Sequence, residues 1–292
     1  MKFLRTEIEG APLAYYKLGG GPRLLLLLHG FPDDAATMLP LMERMASEEF
    51  TLIAPNLPGY TPRSHTSNTR YTIADHGARV LAMMDALGFD EAALFGHDWG
   101  AVSAYAAAQL RPDRVTHLCG ASVPPLRTLL ANIPRHPSQL FRSWYIFFFQ
   151  LPSLPERALT SESLELIETL WSIWSPGWRW PEERLAKVTH TFKREETILA
   201  ALAYYRGLLV DGLRDREQWR SSISLAMRRI ECNTLVLAGK DDRCIAHAMY
   251  DRFDAAFTPR TPHRLIKLDG CGHFPQHEAL DELERHLKRF LG

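Results

Sequence analysis

The segment Leu94-Phe95-Gly96-His97-Asp98-Trp99-Gly100-Ala101 constrains the fold of this chain more than any other. Residues Ala92 to Phe95 read as a short buried strand and Ala101 to Leu110 as a helix, and the five residues between them are too few for an ordinary loop. Gly96 and Gly100, two before and two after Asp98, let backbone pass close on both sides of a sharp turn. A strand, a tight turn and a helix in that order expose the apex side chain at the end of a sheet. Here the apex is a carboxylate. An aspartate acting as nucleophile forms an ester on the protein itself, which suits substrates opened by alkylation rather than acylation. The plainer alternative is a glycine-bounded turn whose aspartate caps the next helix.

The rest of the chain supplies a sheet for that turn. Leu24 to Leu28 and Thr51 to Ala54 are compact apolar runs followed by turn residues, and Val115 to Gly120, Thr234 to Ala238 and Arg264 to Leu268 read the same way. Helices fall between them. Thr72 with Asp75 predicts a capping-box start for a helix to Leu87, with Gly88 as its stop. Leu280, Leu283, Leu287 and Phe290 give the stripe of a closing helix. Continuous apolar strands alternating with helices imply an α/β fold, a mostly parallel central sheet flanked by helices. Between Pro124 and Ser222 the alternation stops. Six of the seven tryptophans fall there, among them Trp144, Trp171 and Trp174, with helical patterns at Ser138 to Gln150, Ser161 to Trp174 and Arg194 to Val210. The expected organisation is core (1–123), inserted helical cap (124–222) and core again (223–292). Aromatic density this local suits an apolar pocket wall.

Composition narrows the function classes. Lys plus Arg and Asp plus Glu are 34 each, so no net charge points to nucleic acid or an anionic membrane. Five leucines at 24–28 are far too few to span a bilayer, and residues 1–10 carry charges and no apolar signal core. Cys119, Cys232, Cys244 and Cys271 have no metal-ligand spacing, so free thiols in a cytoplasmic protein are expected. No metal or organic cofactor is expected, and the oligomeric state is open between monomer and homodimer.

An ester on Asp98 must be broken by water, which needs a general base and a group to orient it. Two loops after strands supply candidates: Gly239-Lys240-Asp241-Asp242, and Asp269-Gly270-Cys271-Gly272-His273-Phe274-Pro275, which exposes one histidine. Catalytic groups in open α/β sheets gather at such carboxyl ends. The order nucleophile, acid, histidine is that of hydrolase triads.

At this point the chain resembles the α/β-hydrolase superfamily over nearly its whole length. His29-Gly30-Phe31-Pro32 looks like that superfamily's oxyanion-hole loop, which implies that the backbone N–H groups of Phe31 and Trp99 face the developing oxyanion. His29 and His97 would then be structural. Counting from Gly239, Asp242 fits the superfamily's acid position, with Asp241 as the alternative. An Asp nucleophile is similar to epoxide hydrolases and to haloalkane or haloacetate dehalogenases, and the cap separates them. Trp144 to Pro152 resembles the epoxide hydrolase cap segment in which a tyrosine stands five residues before a Phe-Gln end, the place of Tyr145. Ala203-Tyr204-Tyr205-Arg206 resembles the second cap tyrosine followed by arginine, which places Tyr205. Haloacetate dehalogenases carry Arg directly after the nucleophile, where this chain has Trp99.

The resemblance therefore implies an apolar epoxide and water as partners, with Asp98, Asp242, His273, Tyr145 and Tyr205 catalytic and Trp99, Trp144 and Phe31 lining the pocket. Dehalogenation with the same nucleophile is the alternative, and a non-catalytic receptor on the same fold a further one. The chain departs from the family at Asp33-Asp34-Ala35-Ala36 and Leu57-Pro58-Gly59-Tyr60-Thr61, loops expected at the mouth of the site. Cys244 and Cys271 stand two residues from Asp242 and His273, so their loops are expected to meet, as two free thiols rather than a redox pair.

Overall fold

The computed structural model of the chain describes residues 1–65, 69–160, 165–209 and 215–292. The strands are β1 (Lys2–Ile8), β2 (Ala11–Gly19), β3 (Arg23–Leu28), β4 (Phe50–Pro55), β5 (Ala92–His97), β6 (Val115–Ala121), β7 (Asn233–Gly239) and β8 (His263–Leu268). They form one sheet in the order β1-β2-β4-β3-β5-β6-β7-β8. β1, β2 and β4 are joined antiparallel and the rest run parallel. The five leucines of β3 explain why the sheet must be covered on both faces. Leu24, Leu26 and Leu28 enter one apolar cluster, and Leu25 and Leu27 enter the other.

Helices α1 (Leu39–Met45), α2 (Ile73–Ala86) and α3 (Trp99–Leu110) belong to the first core segment. Thr72 and Asp75 close the expected capping box on α2, each side chain bonded to the other's backbone N–H. Helices α4 (Leu126–Asn132), α5 (Ser138–Arg142), α6 (Trp144–Phe148), α7 (Leu154–Thr160), α8 (Glu165–Trp174), α9 (Glu182–Phe192), α10 (Glu195–Arg206) and α11 (Arg216–Ala226) follow β6. After β8 come α12 (Pro275–Glu278) and α13 (Leu280–Leu291), whose Leu283, Leu287 and Leu291 are buried.

Two expectations are revised and two strands are new. The single helix from Ser138 to Gln150 is two, broken at Ser143, because the Gln139 side chain turns away to bond Ser143 Oγ and the Cys244 carbonyl. The turn after β5 is a single residue: the strand runs on to His97 and α3 begins at Trp99. The antiparallel strands β1 and β2 had no expectation at all. The expected start at Ser161 and end at Val210 lie outside the described residues; α8 covers the rest of the first pattern, while α10 ends at Arg206 and residues 207–209 form a turn. No helix among the described residues is long and apolar enough to cross a membrane.

The order of the sheet positions the site. From β3 the chain moves outward to β4 and then returns past β3 to β5, so the loops after β3 and β5 leave the sheet on opposite courses. The crevice opened at such a reversal is where open α/β sheets bind ligands.

Candidate active site

Asp98 sits in that crevice on a strained backbone, at φ 52° and ψ −117°. Such a conformation costs a non-glycine residue about 1–3 kcal/mol and persists only where its surroundings enforce it. They do so here by close backbone approach. A Cβ on Gly96 would collide with the Gly100 carbonyl, and one on Gly30 would collide with the Asp98 side chain itself. The carboxylate lies at the N-terminus of α3, whose dipole favours negative charge. Phe31 N–H donates to Asp98 Oδ1 at 2.9 Å, and Trp99 N–H belongs to the first turn of α3, where helix geometry offers no acceptor.

The loop after β8 brings His273 opposite. Its Nδ1 is 2.9 Å from Asp242 Oδ2 and its Nε2 is 3.6 Å from Asp98 Oδ2, and both carboxylates are buried. Asp242 Oδ1 accepts from the N–H groups of Cys244 (2.7 Å) and Ile245 (3.0 Å), so the whole carboxylate is occupied in aiming the imidazole. Asp241 is exposed, and its N–H donates to the Cys271 carbonyl, which joins the two loops as expected. All four cysteines are free and buried.

Burial alone would push the His273 imidazole down, but the Asp242 and Asp98 carboxylates override it and raise the group to about 10. Burial opposes ionisation of Asp98 too, and the nearby His273 imidazolium wins, holding that carboxyl below its ordinary range. The other two histidines are fasteners. His29 accepts from Leu57 N–H through Nε2 and donates to the Gly30 carbonyl through Nδ1, and His97 Nε2 bonds the His273 carbonyl at 2.7 Å. Burial lowers them to about 4 and about 3, which keeps both neutral.

Two phenols close the site from above. Tyr145 on α6 and Tyr205 on α10 are 3% and 2% exposed, with ring centroids 5.6 Å apart. Burial raises both hydroxyls well above their ordinary range, and the Asp98 charge adds to it in each. Tyr145 Oη contacts Cys244 Sγ at 3.4 Å, whereas Tyr205 Oη, which has the Trp99 side chain beside it, makes no hydrogen bond of good geometry among the described residues. Neighbouring Tyr204 is spent on the Pro58 carbonyl. Gln150 Nε2 donates to the Tyr205 carbonyl, and Arg206 donates to the Phe149 and Leu151 carbonyls, so α6 and α10 are stitched together beside the two tyrosines. Phe31 and Trp99 pack edge-on against the Tyr205 ring at 5.4 and 5.2 Å. Trp144 does not join them. It is 38% exposed and packs on Phe148, because the break at Ser143 turns its face of α6 outward.

A match to the alpha/beta hydrolase fold covers residues 23–280. The chain belongs to the α/β-hydrolase fold family. Among curated proteins, this α/β hydrolase is 28% identical to epoxide hydrolase A of Mycobacterium tuberculosis, with 98% of this chain and 96% of that one covered. It is 26% identical to epoxide hydrolase 3 of Mus musculus, covering 98% of this chain and 75% of that one. The crystal structure of epoxide hydrolase A from Mycobacterium thermoresistibile superposes with a TM-score of 0.81 at 26% identity, over 99% of this chain and 98% of that one.

Several residues that build the α/β-hydrolase site carried no signal in the sequence. Ser175 Oγ accepts from His273 N–H and donates to Glu278, whose carboxylate also takes the N–H groups of Gly272 and Phe274. The Ser175 bond fixes the histidine loop from 98 residues away, so no local pattern marks it. The unusual Asp33-Asp34 pair also finds its reason here. Both buried carboxylates meet the Arg184 guanidinium of α9, and Thr191 Oγ donates to Asp34 at 2.7 Å, pinning that helix to the loop that carries Phe31 N–H.

Proposed function

We propose that this protein is an epoxide hydrolase that opens apolar epoxides to vicinal diols through an ester on Asp98, with residues 124–222 acting as the cap. The observation that carries the reading is the pairing of a strained, buried carboxylate with two buried phenols across the same crevice. An epoxide oxygen has two lone pairs, and two phenols supply two donors. Asp98 attacks one epoxide carbon, the C–O bond breaks, and a phenol gives its proton to the departing oxygen. The product is a hydroxyalkyl ester. Esterification removes one of the two negative charges that hold the His273 proton. The imidazolium releases that proton, which restores the phenol, and becomes the neutral base. His273, aimed by Asp242, then takes a proton from water as the oxygen attacks the Asp98 carboxyl carbon. The oxyanion is met by the Phe31 and Trp99 N–H groups, and collapse frees the diol with Asp98 and the imidazolium regenerated.

The test is intact mass on His273→Gln protein incubated separately with an aryl epoxide and a haloalkane, beside an Asp98→Asn control. Losing the base stalls the second step. The expected result is an adduct of the whole epoxide's mass that is absent in the control. An alkyl adduct from the haloalkane alone moves the assignment to dehalogenation, and no adduct from either removes the covalent mechanism.

A further inference from the structure

Trp174 ends α8 and is completely buried. Its ring lies between the two kinds of catalytic ring, 5.1 Å from His273 and 4.9 Å from Tyr145 by centroid. Its Nε1–H has no acceptor among the described residues. Other cap indoles are satisfied: Trp171 donates to the Pro32 carbonyl and Trp219 to the Leu208 carbonyl. A buried N–H left unpaired destabilises a fold, so one retained beside reacting groups points to a partner that comes and goes with turnover. His273 Nε2 likewise makes no hydrogen bond among the described residues, its ion-pair partner Asp98 Oδ2 lying 3.6 Å away.

We propose that Trp174 is a catalytic residue of the second step, its indole N–H holding the water that His273 activates. The inference rests on the epoxide hydrolase reading above. An attacking water directs one lone pair at the ester carbon and one O–H at the imidazole. Its second lone pair needs a donor if its orientation is to be fixed before reaction. Indole suits that task because it donates only, carries no charge, and can neither take the proton nor be alkylated in place of Asp98. The epoxide oxygen does not need it, since Tyr145 and Tyr205 already supply two donors. An open pocket of about 270 Å³ lined by Pro176, Gly177, Asp242 and Arg243 adjoins the backbone of Trp174, whose carbonyl accepts from Arg243 N–H.

The test separates the two chemical steps by rapid-quench kinetics with an aryl epoxide, following ester formation and ester hydrolysis in single turnovers. Trp174→Phe removes the N–H. Replacement of Trp174 by 3-benzothienylalanine removes it while keeping the bicyclic shape, which guards against a packing defect. Both proteins are expected to form the ester within about twofold of the wild-type rate and to hydrolyse it about 10- to 100-fold more slowly, the scale of one lost hydrogen bond to a reacting group. The pH at which hydrolysis gains its base should not move, because His273 and Asp242 are untouched. Ester formation slowed with hydrolysis unchanged would overturn the assignment and give the indole to the epoxide oxygen. Both steps unchanged would reduce Trp174 to packing. Failure of the underlying reading looks different: neither the wild type nor His273→Gln would then yield any ester.

Discussion

Tyr205→Phe should make this protein more stable and less active at once. The Tyr205 ring is 2% exposed and packs edge-on against Phe31, Trp99 and Phe149 at 5.4, 5.2 and 5.0 Å, contacts that phenylalanine keeps. What it loses is a hydroxyl that makes no hydrogen bond of good geometry among the described residues. Burying an unsatisfied polar group costs about 1–3 kcal/mol, and part of that gain is offset by the small void left behind, so a net stabilisation of about 1 kcal/mol is expected. For a chain of this length that is a rise of roughly 2 °C in Tm. Ester formation loses one of its two proton donors, and a positioned acid contributes about 10²–10⁴ in rate, so a fall near the lower end, about 100-fold, is expected. Tyr145→Phe provides the internal comparison. Its hydroxyl already contacts Cys244 Sγ, a weak acceptor, so the same chemical loss should come with little stabilisation. The assays are urea and thermal unfolding, with rapid-quench measurement of ester formation. A Tyr205→Phe protein less stable than wild type would refute the reasoning about the unpaired hydroxyl. Stabilisation with undiminished ester formation would remove Tyr205 from the chemistry.

Other outcomes follow from the charges. Arg184→Met leaves Asp33 and Asp34 buried without their guanidinium, and should cost about 3 kcal/mol in urea unfolding, the low end for a broken buried pair because Thr191 and Ala36 N–H still hold Asp34. Adding Asp33→Asn and Asp34→Asn should recover most of that loss, and no recovery would mean that the charges are not its cause. His273 is raised in the folded protein from an ordinary 6.5 to about 10, so its contribution to stability is full below pH 6.5 and is lost as pH rises through about 10. Wild type should therefore lose stability against His273→Gln across that window, and parallel profiles would contradict the ion pairing.

Much of the sheet could be read locally because its strands are self-contained signals. β3, β4, β5 and β7 are short apolar runs ended by turn residues, and a strand buried on both faces has no choice but to look like that. β1 escaped because it lies at the sheet's edge, and β2, though paired on both sides, because only Leu13, Ala14 and Tyr15 along it are buried. Along β1 every second side chain is only partly covered and the others are exposed, so charged residues sit among the apolar ones and blur the pattern. The helix broken at Ser143 was unreadable for another reason: a side chain from α5 is captured by the Cys244 carbonyl, 105 residues away.

The sequence by itself determined the things that short-range sterics and order along the chain control. Gly96 and Gly100 permit a turn that only a strained apex can complete, and the carboxylate, the acid loop and the histidine loop each follow a strand that can be recognised alone. Tertiary structure decided everything that depends on which side chains meet. It put Asp242 rather than Asp241 on His273, turned Tyr205 toward Trp99 and Tyr145 while tying Tyr204 to Pro58, turned Trp144 to the surface, and brought Trp174 between the base and a phenol. Neighbours in sequence were separated in each case, because a one-residue step along a helix or turn swings a side chain through about 100° and so changes its partner altogether.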